Sequence, residues 1–576
     1  MALLTPVIRG LAALYPYEVD ASRDLVDSVR FVDAPYDAET VVRAGYGAGL
    51  IGAFVPLPLV LFEVPLLFVA VFVLTASLGA IHAVHTWPHL RAAFRRTEAL
   101  GDTPTLIGRA VLRMQIQPSL ENAIRFASTT GDGPLARSLG AHFNRAKGTP
   151  HAGLLTFAEE WAEHFPALRR SSTLLATAQD APEAERARTL DRALAAILDG
   201  TRSQMAAFTA AIRAPTTMLF AFGILLPMAL IAIVPVAPMA GVTLNIWMFV
   251  LLYNVVLPAA LIAASLWLLV RRPVAFPPPK IDRDHPELPD RLWLRAGWGP
   301  LAGVVSFVAI QAAGPAYLAH VVAVGVGVGI ALLAVYSPIL ELRHSVRDVE
   351  EHLTDALYIV GRQVAEGESV ESAIELAANR VPAETGAVFA HAAGVQRRLH
   401  TSVEEAFLGT YGALRDVPSQ RARSMAALLA TAGEEGKPAG RAIVSMADHL
   451  EELEEVEAET KRALLQVTST LDNTAAYFGP MIGGATVGMA DMLSADDFAT
   501  FEGFGDAATL PIDQLGVVVA VYLIMLAFIL TPLSYALRYG MDRALFGYHV
   551  GRTLTSSMIL FVLTVALLDV ALLDPI

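Results

Sequence analysis

Gln117-Pro118-Ser119-Leu120-Glu121-Asn122-Ala123-Ile124 recurs as Gly367-Glu368-Ser369-Val370-Glu371-Ser372-Ala373-Ile374, 250 positions further along (369 minus 119). Each copy sits in a polar stretch of over a hundred residues flanked by hydrophobic hairpins, from about 44 to 270 and again from about 298 to 537. A repeat of this length constrains fold, topology and function together. In both copies a Ser stands two residues before a Glu and just ahead of an apolar-periodic run. Ser is a preferred helix N-cap because its hydroxyl accepts from the unpaired N–H groups of the first turn, and an acidic residue there complements the helix dipole. The phrase thus has a full structural explanation as a helix start, with small Ala123 and Ala373 allowing close packing against a neighbour.

Composition sets the class. With 54% hydrophobic residues, 17% charged residues and a mean hydropathy of +0.50, the 576-residue chain is too apolar for an ordinary soluble enzyme and reads as a multispan membrane protein. There is no cysteine, which excludes disulfides, thiol nucleophiles and Cys-type zinc sites. The formal net charge is −14, and Lys occurs only at positions 147, 280, 437 and 461. Such an acidic, Lys-poor chain resembles proteins that work in concentrated salt. It has no dense Lys/Arg stripe to displace counterions from phosphate, so no nucleic-acid partner is expected. The first forty residues are polar and carry no apolar core of a cleavable signal, so internal spans are expected to insert the chain.

Roughly 20 apolar residues are needed to cross a bilayer. Nine segments qualify: 45–62, 64–84, 215–235, 246–270, 299–314, 318–337, 471–493, 514–537 and 554–573. Pro56, Pro58, Glu63 and Pro65 leave open whether the first pair is two short spans or one kinked span. Arg91, Arg95, Arg96, Arg213, Arg271, Arg272, Arg343 and Arg347 mark one side as cytoplasmic, whereas residues 491–513 hold six acidic residues and no Arg or Lys. The expected fold is therefore all-α and polytopic, with two cytoplasmic helical bundles in a parallel internal repeat, the N-terminus inside and the C-terminus outside. Its segments are a cytoplasmic N-terminal stretch (1–43), a membrane hairpin (44–87), a first bundle (88–213) and a second hairpin (214–270). A Pro-rich, stiff linker (271–297) precedes a third hairpin (298–337), a second bundle (338–470), a fourth hairpin with an acidic external loop (471–537), and a loop with an unpaired ninth span (538–576).

Val349, Leu353, Leu357 and Val360, and again Ile443, Met446, Leu450 and Leu453, recur at helical spacing. The second run continues through Glu451, Glu452, Glu454, Glu455, Glu457 and Glu459, an acidic stripe that reads first as a solvated helix face. Chemistry is scarce. Gly433-Glu434-Glu435-Gly436-Lys437-Pro438 has the wrong spacing for a phosphate loop and sets carboxylates where backbone amides would meet phosphate, and there is no Gly-x-Ser-x-Gly elbow. Neither a catalytic group nor a cofactor is expected. His82, His85 and His89 share a helix face and have the residue type for a metal, but an interfacial cluster beside Trp87 explains them without one. Of the ionisable residues only Glu63, His320 and Asp569 come close to span interiors, and Gly45/Gly49, Gly325/Gly329 and Gly484/Gly488 suit close helix packing.

A Gly-x-Ser turn followed by a helix with Ala-Ile, inside a bundle flanked by membrane hairpins and present twice, resembles the type II secretion F domain. The resemblance extends to Glu434-Glu435-Gly436-Lys437 before a periodic helix, and to Arg213-Ala214-Pro215 and Tyr477-Phe478-Gly479-Pro480 where each bundle returns to the membrane. The first copy departs from the pattern, with Gln-Pro in place of Gly-Glu. That family comprises the platform proteins of type IV pili, type II secretion and the archaeal pilus and archaellum machines. The resemblance implies a non-enzymatic platform in the cell membrane, a homodimer whose bundles dock a hexameric secretion ATPase and whose spans support prepilin-like filament subunits. Contact residues would be Ser119 and Glu121 in the first bundle, and Gly367, Ser369, Glu371, Glu434, Glu435, Gly436 and Lys437 in the second. The rival expectation is a secondary transporter or channel with cytoplasmic regulatory domains.

Overall fold

The computed structural model describes residues 4–62, 64–131, 133–146, 150–234, 245–274, 279, 281, 285–289, 291–435, 437–494 and 512–573. Among them every regular element is a helix. Among the described residues eight helices are long and apolar enough to cross a membrane, and the chain is a membrane-spanning protein. They match the expected spans except 471–493, which is helical but contains Asp472, Asn473 and several glycines, so it is less apolar than the others.

Three helices open the chain: α1 (Leu4–Ala13), α2 (Arg23–Phe31) and α3 (Ala38–Phe54). A 3-10 turn at Leu57–Phe62 follows, and Pro65 caps α4 (Leu66–Gly101). The first hairpin is therefore two separate helices. They run antiparallel, Gly45 facing His85, Gly49 facing Ile81 and Gly52 facing Ala76. Glu63 lies outside the described residues.

The first polar bundle comprises α5 (Thr103–Ile116), α6 (Leu120–Thr130), α7 (Pro134–Arg145), α8 (Pro150–Ala162), α9 (Ala167–Ala178) and α10 (Glu183–Phe220). A π turn, Ala221–Leu225, leads into α11 (Leu226–Ile233), and α12 (Ile246–Leu251), a second π turn and α13 (Leu257–Val270) complete the hairpin. The second half repeats the order with α14 (Trp298–Ala313), α15 (Ala319–Glu350), α16 (Leu353–Glu366), α17 (Val370–Arg380), α18 (Ala383–Leu399), α19 (Val403–Leu408), α20 (Gln420–Glu435) and α21 (Lys437–Asn473). A π turn at Thr474–Phe478 then precedes α22 (Gly479–Ser494), and α23 (Ile512–Tyr539) and α24 (Arg543–Leu573) close the chain.

The duplication reaches into backbone irregularities. The π turns at Ala221–Leu225 and Thr474–Phe478 lie 253 positions apart (474 minus 221), and each is followed by a proline, Pro227 and Pro480, at the same offset (480 minus 227). Proline lacks an N–H and its ring clashes with the carbonyl four residues earlier; one extra residue in the preceding turn relieves both. The third π turn, Leu252–Val256, likewise precedes Pro258. Pro215 lies inside the unbroken α10, and the counterpart of Pro480 is Pro227.

The last helix, the ninth span of the expected fold, is packed into the helix array. It packs along α15, α22 and α23. Gly325 and Gly329 make room for Met558 and Thr555, so α24 runs antiparallel to α15, while Gly484 and Gly488 face Thr564 and Leu568, so it runs parallel to α22. Small residues let helix backbones approach where no hydrophobic driving force separates helix from lipid. The side chain of Asp569 and residues 495–511, which hold most of the expected acidic loop, lie outside the described residues.

Each bundle has its own apolar core. Leu106, Met114, Ile124, Phe157 and Phe165 fill the first, which continues down α10 into the membrane hairpins. Leu357, Val360, Ile374, Phe389, Phe407 and Ile443 fill the second. The periodic run from Val349 to Val360 keeps its buried phase across a break between α15 and α16. Leu112, Leu428, Ala442 and Met446 form a small apolar seam joining the bundles. Alongside it α10 and α21 run parallel, Asp191 meeting His449 at 3.7 Å and Arg202 meeting Glu459 at 3.1 Å.

Candidate functional site

The repeated phrase is a helix start in both halves. The Ser119 hydroxyl accepts from the Asn122 N–H at 3.3 Å and the Ser369 hydroxyl from the Ser372 N–H at 3.2 Å. What precedes them differs. Gly367 has φ +107° and ends α16 in a left-handed turn, its N–H and that of Glu368 donating back to the Val364 and Gln363 carbonyls. This is the Schellman arrangement, and a residue with a Cβ is strained there. In the first copy Pro118 removes a donor and biases its predecessor to extended backbone, so Gln117 sits at φ −128°, ψ 114°. There the Leu120 N–H donates to the Gln179 side-chain oxygen at 3.0 Å instead.

Tertiary packing collects these turns at one end of the molecule. The backbone of Gly440, in the first turn of α21, lies so close to Val364 and Ala365 that a Cβ would meet the Val364 carbonyl carbon at 2.8 Å. The start of α21 therefore adjoins the Gly367 turn. Glu434 and Glu435 end α20 and Lys437 begins α21, beside that turn; their side chains and Gly436 lie outside the described residues. The first bundle presents its own turn alongside, because the Gln115 amide donates to Ser445 Oγ at 3.3 Å and to Asp191 Oδ1 at 3.5 Å. At about 1.5 Å per residue, α21 sets this face about 55 Å from the helix's other end at Asn473. Glu366, Glu368, Ser369 and Glu371 are exposed on it, while Glu121 pairs with Arg125 at 2.6 Å. The surface offers carboxylates, helix N-termini and small turns for polar contact.

The acidic stripe on α21 is solvated at Glu451, Glu452, Glu455 and Glu459, as expected, and covered at Glu454 and Glu457. Glu455 and Glu459 reach Arg202 of the first bundle, and Glu457 is buried against Arg421, with Lys461 at 3.8 Å. Beside them Glu454 accepts from Thr354 at 3.4 Å, and Ser419 donates to Glu350 at 2.6 Å. Burial raises the Glu454 carboxyl and lowers the Lys461 ammonium; Arg421 would fall for the same reason but is carried up by Glu457 and Glu350. Sequence periodicity could not reveal this, because the covering groups come from α10, α15 and α20.

A second cluster missed in the sequence lies where the halves meet at the membrane boundary. Arg538, on the last turn of α23, pairs with Asp472 and donates to Thr468 Oγ1 at 2.7 Å. Arg272, from the end of the first half, donates to the Arg538 carbonyl at 3.1 Å and to the Ala536 carbonyl, capping α23; burial pushes it down to about 9. Two of the three α4 histidines are structural anchors. His85 bonds the Val42 carbonyl at 3.1 Å, His89 meets Ser28 Oγ at 2.9 Å, and His82 is exposed. His320 packs edge-on to Phe307. Among the described residues no group of three His, Asp or Glu is placed to hold a metal ion.

No family model, curated protein or solved structure matches the chain.

Proposed function

We propose that this chain is the platform protein of an archaeal type IV pilus-like assembly or secretion machine in the cell membrane, working as a scaffold and as a homodimer. Its polar bundles lie in the cytoplasm and dock a hexameric secretion ATPase. Its spans support insertion of prepilin-like subunits into a filament. The observation that carries the reading is the convergence of both Ser-capped turns and the α20–α21 corner on one membrane-distal face, joined to the membrane by two parallel, unbroken helices. A motor pushing on that face would act on α10 and α21 together, and through the matched π turns on the spans.

Deletion of the gene is expected to abolish surface filaments together with adhesion or swimming, and affinity purification of the tagged chain from membranes is expected to recover an ATPase. Gly367→Val should weaken that recovery while leaving the protein in the membrane. Intact filaments combined with altered solute uptake would replace the scaffold with the transporter reading.

A further inference from the structure

The corresponding helices of the two bundles differ in length. α18 runs on to Leu399, whereas its counterpart α7 stops at Arg145, the position equivalent to Gly394 on the helix-start offset of 249 (383 minus 134; 145 plus 249). The extra turns of α18 and the loop after α19 enclose a surface cleft of about 570 Å³. Its floor holds Gly394, beside which a Cβ would find nothing within 4 Å, and its walls carry Arg398, Arg415 and the exposed rings of His391 and Tyr411. Leu399, 56% exposed, and Tyr411, 70% exposed, lie on the rim. Asp416 is the one acidic lining residue; its carboxylate lies 4.0 Å from Arg415, and its carbonyl bonds His285 of the linker at 2.9 Å.

We infer that this cleft is a docking groove for an acidic protein segment bearing an apolar anchor. Arginine and tyrosine beside apolar side chains are the composition of interface hot spots. The lining is basic in a chain whose net charge is −14, so charge selects an acidic occupant. A floor of small residues leaves depth for an inserted side chain. That apolar contact persists in concentrated salt, where exposed arginines are screened. The groove is lined by none of the residues of the distal turns, so it stands apart from the proposed ATPase face.

The test places a benzophenone amino acid at Tyr411 of the full-length chain in its own membranes. Irradiation is expected to yield one protein adduct whose linked peptide is rich in Asp and Glu around an aromatic or aliphatic residue. A synthetic copy of that peptide should bind the purified full chain, and its Asn/Gln version should bind at least about tenfold more weakly. Gly394→Trp, which fills open space and leaves the core untouched, and the double change Arg398→Glu with Arg415→Glu should each lower the adduct yield by about tenfold or more. Unchanged circular dichroism and melting temperature would exclude misfolding. Absence of an adduct, an adduct insensitive to all three substitutions, or a lipid or second copy of this chain as the linked species would overturn the inference. So would protection of Arg398 and Arg415 from phenylglyoxal by millimolar inorganic phosphate with none by the peptide.

Discussion

Arg538 and Asp472 illustrate how one residue's environment sets its worth. Arg538 is 6% exposed in its side chain, so Asp472→Ala would leave a buried charge with only hydroxyl and ring partners. The expected loss is about 3–5 kcal/mol, read as a lower unfolding temperature in detergent. Arg202, by contrast, is exposed and meets Glu455 and Glu459 in solvent, so Arg202→Ala should cost at most about 1 kcal/mol. At Glu454 the sign reverses. Its folded carboxyl is raised by burial, so the folded state holds its proton more tightly than the unfolded chain. That contribution is present at low pH and lost as pH rises from the unfolded value of about 4.5 through the folded value. Glu454→Gln is accordingly expected to raise the melting temperature at pH 7 and to flatten its dependence on pH in the mildly acidic range. A variant melting lower than wild type at pH 7 would refute that account. Ser119→Ala and Ser369→Ala should each cost about 1 kcal/mol through the lost cap, without changing the fold.

At the scale of elements, the long helices α10 and α21 are each followed directly by a π turn. The Pro227 π turn leaves carbonyls that distant groups satisfy: Tyr522 of α23 donates to Gly223 and Tyr253 donates to Pro227, their rings meeting edge to face at 5.5 Å. Tyr522→Phe would keep the ring packing and remove one buried donor. The expected destabilisation is about 1–3 kcal/mol, visible as faster hydrogen exchange around residues 221–227 in protein reconstituted in bilayers. The proline signal was present in the sequence as offsets near that of the repeated phrase, Pro227 with Pro480 at 253 (480 minus 227) and Pro88 with Pro338, inside α4 and α15, at 250 (338 minus 88). It was hidden because span counting treats proline as a break, and a proline after a π turn continues a helix.

At the scale of the molecule, two bundles with separate cores are tied by a thin seam, the α10–α21 pair and polar links such as Arg109 to Ser424 at 2.5 Å. Met446→Asp would place a charge in that seam, against Gly108 and Leu112. Proteolysis is expected to separate the bundles in this variant while each keeps its helical content; unchanged proteolysis would show that the paired long helices suffice.

The turn copies, the cap serines, the glycine pairs and most span positions were legible in the sequence because each depends on neighbours within one or two helical turns. Hydrophobic period and capping chemistry are local, so a linear string determines them. Which helices meet is not local. The central place of α24, the cover over Glu454 and Glu457, the Arg272 cap on α23 and the cleft beside α18 all join residues far apart in sequence. The sequence by itself determined an all-helical, duplicated membrane chain. Only the tertiary structure decided that both turns share one distal face and which groups cover Glu454 and Glu457, since burial and charge pairing depend on which surfaces the packed helices bring together.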